Sequence, residues 1–95
     1  MFGGWNLEND FNVGTLPQKV ATGFGEAFEG LVGASYEPVL YLGHQIVNGV
    51  NHAILCKQIM VTKDPVEHIV KVILHEKPVD GVKSEFSILE IVNVL

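Results

Sequence analysis

The sequence predicts an α+β domain in which one long helix packs across a four- to five-stranded antiparallel sheet. Three observations predict it. Leu16, Val20, Phe24, Phe28 and Leu31 recur at helical spacing and form one apolar stripe. After Pro38 the chain changes to runs rich in Val, Ile, Leu and Tyr, the composition of strands. Between the first two runs stands Asn48-Gly49, the strongest short-range hairpin signal, because a type I′ turn needs positive φ at both central residues. One helix followed by consecutive hairpins packs as two layers, leaving the far face of the sheet to solvent.

Residues 1–14 contain Gly3, Gly4 and Gly14 with a short apolar-polar alternation, so they read as a mobile terminus with a first strand around Leu7 to Val13. Thr15 followed by Gln18 is a capping box, and Pro17 falls in the first turn, where its missing N–H does no harm. The helix is expected to end near Gly33. Gly23, Gly25 and Gly30 each cost about 1 kcal/mol against alanine, so burial of the stripe must hold it together. Gly23 and Gly25 read as close packing against the sheet. Their place inside the helical pattern with no strand before them argues against a phosphate loop.

The expected strands are Val39 to Val47, Val50 to Val61, about Glu67 to His75 after the break at Lys63-Asp64-Pro65, and about Phe86 to Val94. Lys77-Pro78-Val79-Asp80-Gly81 is the second turn. The last strand is partly apolar on both faces, as in a central strand or one that touches a partner. Around Asn48 the simplest two-residue register pairs polar with apolar residues, which points to a bulge there.

A chain of 95 residues is one domain, residues 1–95, with one modest core. Its net charge is −5 and its six cations, all lysines, are scattered from Lys19 to Lys83. That argues against nucleic acid and anionic membrane, which need clustered Lys and Arg. No apolar run is long enough to span a bilayer. The single cysteine, Cys56, forms no internal disulfide and suits a reducing compartment. The start lacks the basic region and apolar core of a secretory signal, so the chain reads as cytoplasmic and complete.

Candidate chemistry is sparse. His44 and His52 flank the first hairpin within reach of one another, but a closed zinc site takes four ligands and Cys56 is the only sulfur ligand available. Cys56 follows Leu55 and has no cationic cluster nearby, so it reads as a small apolar residue and not as a nucleophile. Glu8 and Asp10 stand in the mobile segment, and Glu26 and Glu29 on a solvated helix face. No enzyme, metal or cofactor is implied. Trp5 fits either a core anchor or an exposed contact.

The first hairpin has a family likeness. Gln45, Val47 and Gly49 match the Gln-x-Val-x-Gly signature of the cystatins, inhibitors of papain-like cysteine proteases. The order of elements resembles the cystatin fold over nearly the whole chain. Gly3-Gly4 near the start, the length and the lone free cysteine look most like the stefins. The chain departs from the pattern at Asn48, where a small residue is common, and in the helix, which lacks the plant-cystatin consensus. In the second turn Pro78-Val79-Asp80-Gly81 stands for the family's Leu-Pro-Gly or Pro-Trp.

The resemblance implies reversible blocking of a papain-like protease of the cathepsin type, with no bond presented for cleavage. Gly3 and Gly4 would be the trunk's close-approach point, with Phe2 beside them. Gln45, Ile46, Val47, Asn48 and Gly49 would form the first loop, and Pro78 with Val79 the second. A pre-set turn loses little entropy on docking, whereas the trunk orders on binding and tunes affinity. Such interfaces bury about 1,600 Å². The expected state is a monomer, or a weak or domain-swapped dimer. The competing reading is a non-inhibitory cystatin-like interaction module able to self-associate. A small ligand-binding domain is a third, for which 95 residues leave little volume.

Overall fold

Apolar alternation after residue 33 organises the molecule. In a computed structural model describing residues 3–95, β1 (Trp5–Leu7), α1 (Gln18–Phe28), β2 (Ala34–Val47), β3 (Gly49–Met60), β4 (Val66–Pro78) and β5 (Ser84–Asn93) follow in that order. The strands form one antiparallel sheet of five, β1-β2-β3-β4-β5, each beside its neighbour in sequence.

The expected α+β architecture, a long helix packed across the sheet, is overturned. The molecule is mostly β, 54% strand and 12% helical, with one short helix. The capping box does not form: Pro17 is the N-cap residue and no side chain caps the helix. No acidic residue occupies the first turn and no basic residue the last, so nothing complements the helix dipole. The chain leaves helical geometry at Glu29, with φ −60° and ψ 133°. Leu16 and Leu31, the ends of the stripe, therefore lie outside the helix. Its 11 residues span about 16 Å.

The core lies on one face of the sheet. Ile54 and Cys56 of β3, Val70, Val72 and Leu74 of β4, and Tyr41 of β2 are buried with Val20 and Phe24 of α1. Phe24 stacks on Phe28 at 4.4 Å, and Phe28 meets Tyr36 at 4.7 Å between ring centroids. Gly23 packs closely: a Cβ there would fall on the Phe86 ring, whereas Gly25 faces open space. On the far face, expected to be solvated, Ala53 and Ile73 are buried and Leu40, Leu55 and Ile69 half-buried.

Several boundaries differ from expectation. The first strand is Trp5–Leu7 and not Leu7 to Val13. It docks against Gly43, where a Cβ would strike the Asn6 carbonyl. β2 begins at Ala34 and includes Pro38, which is tolerated because β1 pairs only with residues 43–45 and leaves the outer edge open there. β5 pairs with β4 alone, so it is an edge strand and not a central one.

The type I′ turn does not form. Among the described residues no non-glycine residue has positive φ; at this bend Gly49 takes it, at +104°, and Val47 pairs with Gly49 around Asn48. The ladder from Gly43–Ala53 to this bend is regular, so the bulge expected near Asn48 is absent. Irregularities fall instead at Pro38/Leu40, Tyr41/Gly43 and Ile73/Leu74.

Two glycine substitutions separate packing from propensity. Gly23→Ala is expected to destabilise the protein by about 1–3 kcal/mol through the Phe86 ring, although alanine favours helix. Gly25→Ala, facing open space, should stabilise it by up to about 1 kcal/mol. Urea midpoints measure both.

Candidate functional site

Hydrogen bonding brings three separate segments to one end of the sheet. The Gly3 N–H donates to the Ile46 carbonyl at 2.9 Å, and Trp5 pairs with Gln45. The Gln45 side-chain amide donates to the Gly3 carbonyl at 3.1 Å. Asn51 donates to Gln45 Oε1 at 3.3 Å, and His75 Nδ1 bonds Asn51 Oδ1 at 2.7 Å. The carbonyl oxygen of Asn51 can only accept, so Nδ1 of His75 carries the proton. The segment expected to order only on binding is thus already fastened from Gly3 onward. Phe2 lies outside the described residues.

The second turn joins the same end through β4. Val50 pairs with Glu76, which brings Pro78 level with Asn48. A Cβ on Gly49 would stand 2.5 Å from the Glu76 carbonyl and about 3 Å from the His75 ring. Gly49 is therefore required twice, by its dihedral and by the backbone beside it. Gly3, Gly4, Asn48 and Pro78 are exposed; Gln45, Val47 and Gly49 are half-buried. Ile46 is 51% exposed and Val79 56%, so the apolar tip is Ile46 more than Val47 or Val50. Trp5 lies on β1, 41% exposed and not in the core.

Two features escaped the sequence reading. The first is a clasp in the second turn. Asp80 Oδ1 accepts the N–H groups of Val82 at 2.8 Å and Lys83 at 2.7 Å, and the Val79 N–H donates to the Lys83 carbonyl at 3.0 Å. Those two backbone bonds hold the Asp80 carboxyl below its ordinary range. The signal was present: aspartate in a turn bonds the backbone two residues on. Next to it Val82 is exposed.

The second is a buried polar chain beneath both turns. The Tyr41 hydroxyl bonds His52 Nδ1 at 2.6 Å, and His52 Nε2 bonds Glu76 Oε1 at 2.9 Å. Lys19 Nζ reaches Glu76 Oε2 at 2.7 Å, and the Ser84 hydroxyl donates to the same oxygen at 2.8 Å. Burial lowers the His52 pKa against the pull of Glu76, so the ring is neutral, donating from Nε2 and accepting at Nδ1. Burial works against ionisation of Glu76, but the bonds from Lys19, His52 and Ser84 outweigh it and hold the carboxyl at about 2. Burial, then the Glu8 and Glu76 charges, push Tyr41 up to about 12. This polar chain joins the helix to four strands, so no pattern within one element reveals it.

Cys56 is fully buried, and burial pushes its thiol up to about 12, far from a reactive thiolate. His44 and His52 are cross-strand partners. Among the described residues no group of three or more His, Cys, Asp or Glu is placed to hold a metal ion. None of their helices is long and apolar enough to cross a membrane. Compared with protein-family models, curated proteins and solved structures, the chain matches none.

The buried chain sets an acid response. Glu76 has its folded pKa depressed from 4.5, so its stabilisation is complete above pH 4.5 and is lost as pH falls toward 2. His52 is also depressed, so its contribution is present above 6.5 and declines as pH falls below that value. Stability should therefore fall steadily from pH 6.5 downward. Glu76→Gln should cost about 3 kcal/mol at pH 7 and flatten the limb below pH 4.5, measured by urea unfolding across pH.

Proposed function

We propose that this protein is a reversible inhibitor of papain-like cysteine proteases of the cathepsin type. It blocks the active-site cleft with the Gly3-Gly4 segment, the Gln45–Gly49 bend and the turn after Pro78. The observation that carries the proposal is that these three segments share one end of the sheet and are fastened before any partner arrives. Gly3 is held by Ile46 and Gln45, and the Gly49 bend rests on the Glu76 carbonyl. The Gln45-x-Val47-x-Gly49 signature supports the same target class.

A pre-ordered edge suits blocking rather than turnover. Side chains already fixed lose little entropy on docking, so apolar burial appears as affinity. Covering the exposed halves of Ile46 and Val79 contributes about 1 kcal/mol each. The proposal includes a cytoplasmic location, supported by the unpaired Cys56.

One observation favours the interaction-module alternative. β5 is an edge strand with Leu89 60% and Ile91 37% exposed, a surface able to pair with another chain. Size-exclusion chromatography reads this directly, as an apparent mass above that of the monomer.

Titration against papain at neutral pH tests the inhibitor. Activity is expected to fall stoichiometrically, and Val47→Asp and Gly4→Glu should each weaken inhibition by at least about tenfold, or 1.4 kcal/mol. Among the described residues nothing lies within 4 Å of a Cβ on Gly4, so its effect reports contact with the protease and not a damaged fold. Undiminished papain activity at micromolar protein overturns the proposal.

A further inference from the structure

We propose, resting on the inhibitor reading above, that Asp80 is a positioning residue that fixes the second turn, and that Val79 and Val82 are the pair it presents to the protease. Isolated exposed valines are ordinary on a protein surface. These two flank a carboxylate that accepts both the Val82 and the Lys83 N–H, within a turn closed by the bonds from Val79 and Asp80 N–H to the Lys83 carbonyl. Val79 is 56% and Val82 87% exposed.

The base of the turn is clamped as well. Pro78 pairs with Ser84, and the Ser84 hydroxyl is held by the buried Glu76 carboxylate. A five-residue turn bound at both its mouth and its tip has few alternative conformations to lose. Two exposed apolar side chains on such a turn, at the same end of the sheet as the Asn48 bend, dock without an ordering cost. Asp80 touches no partner in this scheme; it acts by holding the backbone that carries Val82.

Amide hydrogen exchange and papain inhibition, measured on the same variants, test this. Asp80→Ala should speed exchange at Val82 and Lys83 and weaken inhibition three- to tenfold, with only a small fall in the urea midpoint and exchange in the core strands as in the wild type. Asp80→Asn, whose side-chain oxygen can still accept both bonds, should restore each readout. Val82→Asp should weaken inhibition at least tenfold while leaving exchange elsewhere as in the wild type. Unchanged exchange at Val82 and Lys83 in Asp80→Ala overturns the clasp. Faster exchange with full inhibition by both variants overturns the contact. Failure of the wild type to inhibit papain defeats the inhibitor reading and removes the Val79–Val82 contact with it, while the exchange arm still decides whether Asp80 holds the turn.

Discussion

The carboxylate of Glu76 is the interaction on which the rest depends. Placing an anion in a site this enclosed costs several kcal/mol unless partners surround it. Here Lys19 comes from the helix, His52 from β3 and Ser84 from the start of β5, and together they depress its pKa to about 2. The same residue's carbonyl lies against Gly49, and two residues later the chain enters the second turn. One strand position therefore supports both turns at the candidate edge. Tyr41 extends the chain into β2, so four strands and the helix share one polar junction inside an otherwise apolar layer.

Around that junction the sheet supplies most of the structure. β3 and β4 are paired over eleven positions and contribute Ile54, Cys56, Val70, Val72 and Leu74 to the core. The helix adds Val20, Phe24 and the close approach of Gly23 to Phe86. Its own sequence would not sustain it, with no side-chain cap, no charge complement and two glycines within it. It exists because the apolar face of the sheet needs covering.

Rigid strands that end together make a rigid edge, which is the property a blocking surface needs. Gly3 is fastened to β2 through backbone and the Gln45 amide, the bend is confined by Gly49, and the second turn is closed by Asp80. Their effect is to limit the conformations open to an apolar rim, which suits the proposed blocking role.

The sequence by itself determined the strand-rich second half, the hairpin order and the positions of the two turns, because alternation and Gly, Pro and Asn-Gly signals act over a few residues. It misled on the helix: the stripe from Leu16 to Leu31 has helical spacing, but spacing carries no information on whether the ends are capped. It misled on the bend, since Asn48 was free to avoid positive φ once Gly49 took it. Only the tertiary structure decided that Gln45 binds Gly3, that Glu76 gathers Lys19, His52 and Ser84, and that β5 is an edge. Those contacts join different strands and the helix, most of them across more than twenty positions, and their geometry exists only after the strands have paired.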